Sequence, residues 1–92
     1  MKTYGASRSA AGLRFAIVVS RFNHPISSVL LDGCVEELEM RGAGAGEIHV
    51  AWVPGAFEIP FAARALAASG RYDAIVTLGA VIRGGTPHFE YV

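Results

Sequence analysis

Cysteine is almost missing from this chain: Cys34 is the only one in 92 residues, which excludes an internal disulfide and a thiolate cluster around a structural metal. A reducing compartment, the cytoplasm, is the expected setting. Charge is thin as well. Eight basic residues face eight acidic ones, for a formal net charge of zero, and that balance speaks against a nucleic-acid surface. No uninterrupted apolar run reaches the ~20 residues needed to span a bilayer, and the opening text MKTYGASRSAAG lacks the apolar centre of a secretory signal. Internal repeats, low-complexity tracts and linkers are missing too. What is present has the composition of an interior: 52% of the residues are apolar, which argues against disorder. At 92 residues the chain is one domain at most. A domain of this size buries only about 60–65% of its unfolded surface, so a partner or more chain is expected to support it.

The order of patterns along the chain sets the fold class. Residues 13–20, LRFAIVVS, form a nearly continuous apolar run with three β-branched members, as a strand buried on both faces requires. After the polar group at residues 20–23, Ile26, Val29, Leu30, Cys34 and Leu38 recur three or four apart, and Pro25 suits the first turn of the helix they predict. The glycines of RGAGAG, residues 41–46, end that helix. Residues 47–53, EIHVAWV, read as a second strand, broken by Pro54-Gly55. Residues 57–69 are alanine-rich, with Ile59, Ala63 and Leu66 on one helical face and Pro60 tolerable only near the start. A third strand, AIVTL at residues 74–78, follows. Such alternation predicts an α/β fold with a mostly parallel sheet, right-handed crossovers and helices covering the sheet.

Three unusual groups fall on that skeleton at equivalent places. SRFN follows the first strand, VPGAFE the second and GAVIRGGTPH the third, so all three lie at the carboxyl ends of strands, where open α/β sheets bind ligands. Gly84, Gly85 and Thr86 offer bare backbone N–H groups and a hydroxyl to an anion if a helix begins just beyond; an ordinary glycine turn is the competing reading. His88, two residues past Thr86, is either a proton carrier at the mouth of that loop or a surface histidine. Phe22 either stacks on a flat heterocycle or edges the core, and Glu58 either accepts hydroxyl hydrogen bonds or complements a helix dipole. Arg83 either approaches the phosphate or holds the loop by an ion pair. Trp52 and Cys34 are expected to pack inside. His24 borders a helix start and His49 lies within a strand, so neither joins a metal-ligand pattern, and no metal is expected. The GAGAG of residues 42–46 follows a helix and precedes a strand, the reverse of a dinucleotide-binding loop.

With RFN at residues 21–23, PGAFEIP at residues 54–60 and GAVIRGGTPHFEYV at residues 79–92, the sequence resembles the 6,7-dimethyl-8-ribityllumazine synthase family, from Phe15 onward. That resemblance implies a three-layer, flavodoxin-like sandwich of which this chain holds the N-terminal portion, as one incomplete domain over residues 1–92. Residues 1–12 are then a flexible or neighbour-pairing segment. The implied activity, the penultimate step of riboflavin formation, joins 5-amino-6-(D-ribitylamino)uracil to 3,4-dihydroxy-2-butanone 4-phosphate with release of phosphate and water. Phe22 would stack on the pyrimidine; Asn23, Gly55, Ala56, Phe57 and Glu58 would hold the uracil and its ribityl chain. Val81 and Ile82 would line the ring pocket, Gly85 and Thr86 would bind phosphate, and His88 would move protons. The resemblance also implies a homo-oligomer, a pentamer or a pentamer-based cage, with no cofactor, membrane or nucleic acid. Its members continue past the YV with another strand and long helices that complete the phosphate site and a neighbour's site. Two other readings stand beside it: an assembly or shell subunit without catalysis, and a related riboflavin synthase needing no phosphate site. A flavodoxin-type nucleotide module is disfavoured, because SRFNHP lacks the glycines and hydroxyls such a module places after its first strand.

Overall fold

The computed structural model describes residues 9–81. Three strands, β1 (Phe15–Ser20), β2 (Ile48–Val53) and β3 (Ala74–Leu78), form a sheet of order β2-β1-β3, with α1 (His24–Met40) and α2 (Ile59–Ala68) in the crossovers. Both pairings are parallel, β1 matching Phe15 to Ile48 on one side and to Ala74 on the other. The chain crosses from β1 to β2 in one direction and from β2 past β1 to β3 in the other, so right-handed connections put α1 and α2 on opposite faces. This is the expected α/β architecture, three layers with an all-parallel sheet. Among the described residues no helix is long and apolar enough to cross a membrane.

The central strand follows directly from its composition. Every residue of β1 is buried, which only the middle strand of a sheet covered on both faces can achieve. Phe15 joins Ala10 and Ala43 in a cluster that Leu38, Ile48 and Ala74 pack against, and Leu38 identifies this as the α1 face. Leu13 and Arg14, expected within the strand, lie before it; the ladder begins only at Phe15. Likewise Glu47 closes a short 3-10 turn, Ala45–Glu47, instead of opening β2.

Helix α1 ends in a Schellman motif that explains one of the glycines. The Ala43 N–H donates to the Leu38 carbonyl at 3.0 Å and the Gly42 N–H to that of Glu39 at 3.0 Å, while Gly42 takes φ +103°, a region closed to most side chains. Its buried face differs from the expected stripe. Ser27 is fully buried and Leu31, Cys34, Val35 and Leu38 are partly so, whereas Ile26, Val29 and Leu30 point outward. The helix carries apolar residues on two faces, and spacing alone merged them. The Ser27 hydroxyl is satisfied by the carbonyls of Asn23 and His24, each at 3.4 Å. Helix α2 meets its expectation more closely: Ile59, Ala63 and Leu66 are half-buried, joined by Ala62, and Pro60 stands in the first turn. It starts two residues later than its pattern, since Ala56–Glu58 is a separate 3-10 turn.

At the start of the described chain, the Ala10 N–H donates to the Arg41 carbonyl at 2.8 Å and the Ala10 side chain is buried.

Candidate active site at the carboxyl ends of the strands

All three loops of interest leave the same edge of the sheet, because parallel strands end together. The first is tied to the second by the backbone: the Arg21 N–H donates to the Val53 carbonyl at 2.8 Å, extending the ladder one residue past β1. The Phe22 N–H then turns back to the Ser20 hydroxyl at 3.2 Å, and the Phe22 ring stands half exposed, at 50%. A half-exposed phenyl ring stands there at the edge where open α/β sheets bind ligands.

Asn23 follows in the left-handed region, at φ 58° and ψ 49°, which asparagine adopts more readily than any β-branched residue. It is the N-cap of α1 without a side-chain cap. Its carbonyl receives the N–H groups of Ile26 at 2.9 Å and Ser27 at 3.1 Å, and its side-chain amide donates to the Ala80 carbonyl at 3.4 Å. The first loop therefore reaches the third across the sheet edge, through a residue expected only to touch the ligand.

The second loop runs through Gly55 into the 3-10 turn Ala56–Glu58. A Cβ on Gly55 would lie 3.2 Å from the Glu58 carboxylate oxygen Oε2, so the missing side chain lets that carboxylate fold back over the backbone. Glu58 and Phe57 are exposed, and the Glu58 N–H closes the turn on the Gly55 carbonyl at 3.2 Å. Glu58 also N-caps α2, where its charge complements the helix dipole. At the third loop, Gly79 is wedged between its neighbours: an added Cβ would lie 3.3 Å from the Ile59 Cδ1 and 3.5 Å from the Ser20 Cβ. The ends of β1 and β3 and the start of α2 thus converge on one glycine.

Phe22, Asn23, Gly55, Ala56, Phe57, Glu58 and Val81 accordingly all occur on this edge, on three different loops. Ile82, Arg83, Gly84, Gly85, Thr86 and His88 lie outside the described residues. Trp52, expected inside, is half-buried on β2 close to the edge. The Arg21 guanidinium lies 5.6 Å from its ring centroid and the His24 ring 5.2 Å away, tilted by 31°. Trp52 thereby braces the residues either side of Phe22 and Asn23. Its place two residues before Pro54 was the available signal. Cys34 is only partly covered, and burial raises its thiol pKa, which favours the inert neutral form. No three of His, Cys, Asp or Glu gather as a metal site among the described residues.

Comparison with known families gives this edge its context. The sequence model described as 6,7-dimethyl-8-ribityllumazine synthase matches residues 12–92. The match covers nearly all of the chain, including every loop just described, and the chain belongs to that family.

Proposed function

We propose that this chain is a lumazine synthase subunit, a transferase that condenses 5-amino-6-(D-ribitylamino)uracil with 3,4-dihydroxy-2-butanone 4-phosphate and releases phosphate and water. The observation that carries the reading is the family match over residues 12–92, which embraces all three loops at one sheet edge. Phe22 stacks on the pyrimidine, and the backbone of Gly55, Ala56 and Phe57 with Glu58 holds the uracil and its polyol chain. Asn23 positions the first loop against the third and presents its remaining polar groups to the uracil. Val81 and Ile82 line the ring pocket, and Gly85 with Thr86 receives the phosphate. The uracil amine supplies the nucleophile, so the protein contributes orientation and proton transfer instead of a covalent intermediate. His88 takes up and returns protons as the imine forms and as phosphate leaves. The subunits assemble as a pentamer or a pentamer-based cage, in the cytoplasm.

Incubation with both substrates, followed by the absorbance of the lumazine product, tests the activity. His88→Ala should lower turnover by ~10²-fold or somewhat less while barely changing substrate affinity. A variant with unaltered turnover would remove His88 from the mechanism, and no product from the parent chain under any condition would favour the second reading. That reading, an assembly subunit without catalysis, draws on the outward apolar residues Ile26, Val29 and Leu30 of α1 and on Phe61 of α2, which is 81% exposed.

A further inference from the structure

A second group of functional side chains gathers at the opposite end of the sheet, where the strands begin. Arg14 precedes β1, Glu47 immediately precedes β2 and His49 is its second residue, and Arg71 and Tyr72 precede β3. Together with Gly46 they line a cavity of about 300 Å³, a size suited to a small ligand. Nothing in the reaction proposed for the carboxyl-end loops uses these residues.

The cavity is shaped by a contact that spans the central strand. Nδ1 of His49 and the Tyr72 hydroxyl are 2.7 Å apart, and their rings meet edge to face with centroids at 5.4 Å. β1 lies between the two strands concerned, with Ala16 the register partner of His49 on one side and of Ile75 on the other. One proton occupies the His49–Tyr72 hydrogen bond. A neutral imidazole and a phenol carry two polar protons between them, so one is left over. If tyrosine donates, the imidazole Nε2–H remains free; if histidine donates, the phenol O–H does. Either way the pair keeps one donor to spare.

Two guanidiniums and two carboxylates stand at this end, formally balanced but not paired one to one. Arg14 Nε pairs with Glu47 Oε2 at 3.2 Å, and the Asp73 carboxylate is engaged by the Arg14 backbone N–H at 2.7 Å. Arg71 has no carboxylate partner among the described residues; its guanidinium rests against the Tyr72 ring, 5.6 Å from the centroid. A guanidinium outside any ion pair among the described residues and one spare donor thus line the same cavity, a donor set matched to an anion with several acceptor oxygens.

We propose that this cavity is a binding site for a small oxyanion of the phosphate class, held by Arg71, by the spare donor of the His49–Tyr72 pair and by the Arg14 groups not engaged with Glu47. The site is open and its cations are solvated, so binding is weak and salt-sensitive. The test is a titration of the full chain with inorganic phosphate at constant ionic strength, observing the ring signals of isotope-labelled histidines by NMR. The His49 signals should shift saturably, and chloride should not reproduce the shift. Arg71→Gln should weaken that response about fivefold, as expected for losing one exposed charge pair. Tyr72→Phe, which keeps the ring but removes the hydroxyl, should weaken it as well. An unresponsive His49, or a response undiminished in Arg71→Gln, would overturn the proposal. His88 reports separately on phosphate at the carboxyl-end loop: a shift there without one at His49 sinks this site and leaves the proposed function standing, while the reverse supports this site alone.

Discussion

Gly42 and Gly33 are the same residue under opposite demands, and the difference is measurable. Gly42 sits at φ +103° with the Ala11 Cβ 3.4 Å from where its own Cβ would be, so Gly42→Ala should lose about 1–2 kcal/mol of stability through backbone strain. Gly33 lies exposed within α1 with open space around it, and Gly33→Ala should gain about 0.5–1 kcal/mol because alanine gives up less chain entropy in a helix. Urea midpoints of the two variants should therefore move to opposite sides of the parent. A lowered midpoint for Gly33→Ala would show that α1 is not the continuous helix seen here. The glycines of residues 41–46 were legible as a helix stop because their chemistry is local. The bond from Asn23 to Ala80 was not legible, since nothing in residues 20–23 announces a partner so far along the chain. The bridge from His49 to Tyr72 was hidden in the same way: it depends on strand order, which places β2 and β3 on either side of β1.

At the scale of elements, the sequence pattern served best where burial was simplest. β1 reads as one apolar run because both of its faces are covered, and β3 was found at its observed bounds. α1 was found as a helix but not by its buried face, because apolar residues on a second, outward face have the same three-and-four spacing. The first two loops and the start of the third, to Val81, fall at the carboxyl edge as expected, because parallel strands end together. How those loops support one another is a property of the elements, and Asn23 separates two contributions to it. Asn23→Gly keeps the left-handed N-cap at little steric cost but deletes the amide that donates to Ala80 at 3.4 Å. Asn23→Ala deletes the amide and strains the backbone as well. Both variants should raise KM for the uracil substrate, and Asn23→Ala should be less stable than Asn23→Gly by about 1 kcal/mol, read as a lower urea midpoint. Equal midpoints would place the left-handed turn elsewhere, and an unchanged KM in both would remove this contact from the site.

For the whole molecule, the decisive feature is how much apolar surface the three layers leave uncovered. Ile26, Val29 and Leu30 occupy one outward face of α1, spaced three and four apart, and Val29 is 70% exposed. Phe57 and Phe61 stand outward at and just before the first turn of α2. Of the three described strands, β2 and β3 are the outer ones, each paired only on the β1 side. Apolar patches and open strand edges of this kind favour association, and membership of the lumazine synthase family is consistent with assembly. The 92-residue chain should therefore sediment as an oligomer or larger particle instead of a monomer. Val29→Lys distinguishes surface-driven assembly from poor folding: a lysine at so exposed a helical position should change intrinsic stability by less than about 0.5 kcal/mol, yet it puts a charge in the centre of the α1 patch. If that patch is buried between subunits, Val29→Lys should shift sedimentation equilibrium toward smaller species while the far-ultraviolet helix signal is retained. A parent chain that sediments as a folded monomer, or a Val29→Lys variant that assembles as the parent does, would show that α1 faces solvent in solution and that any contact between copies lies elsewhere.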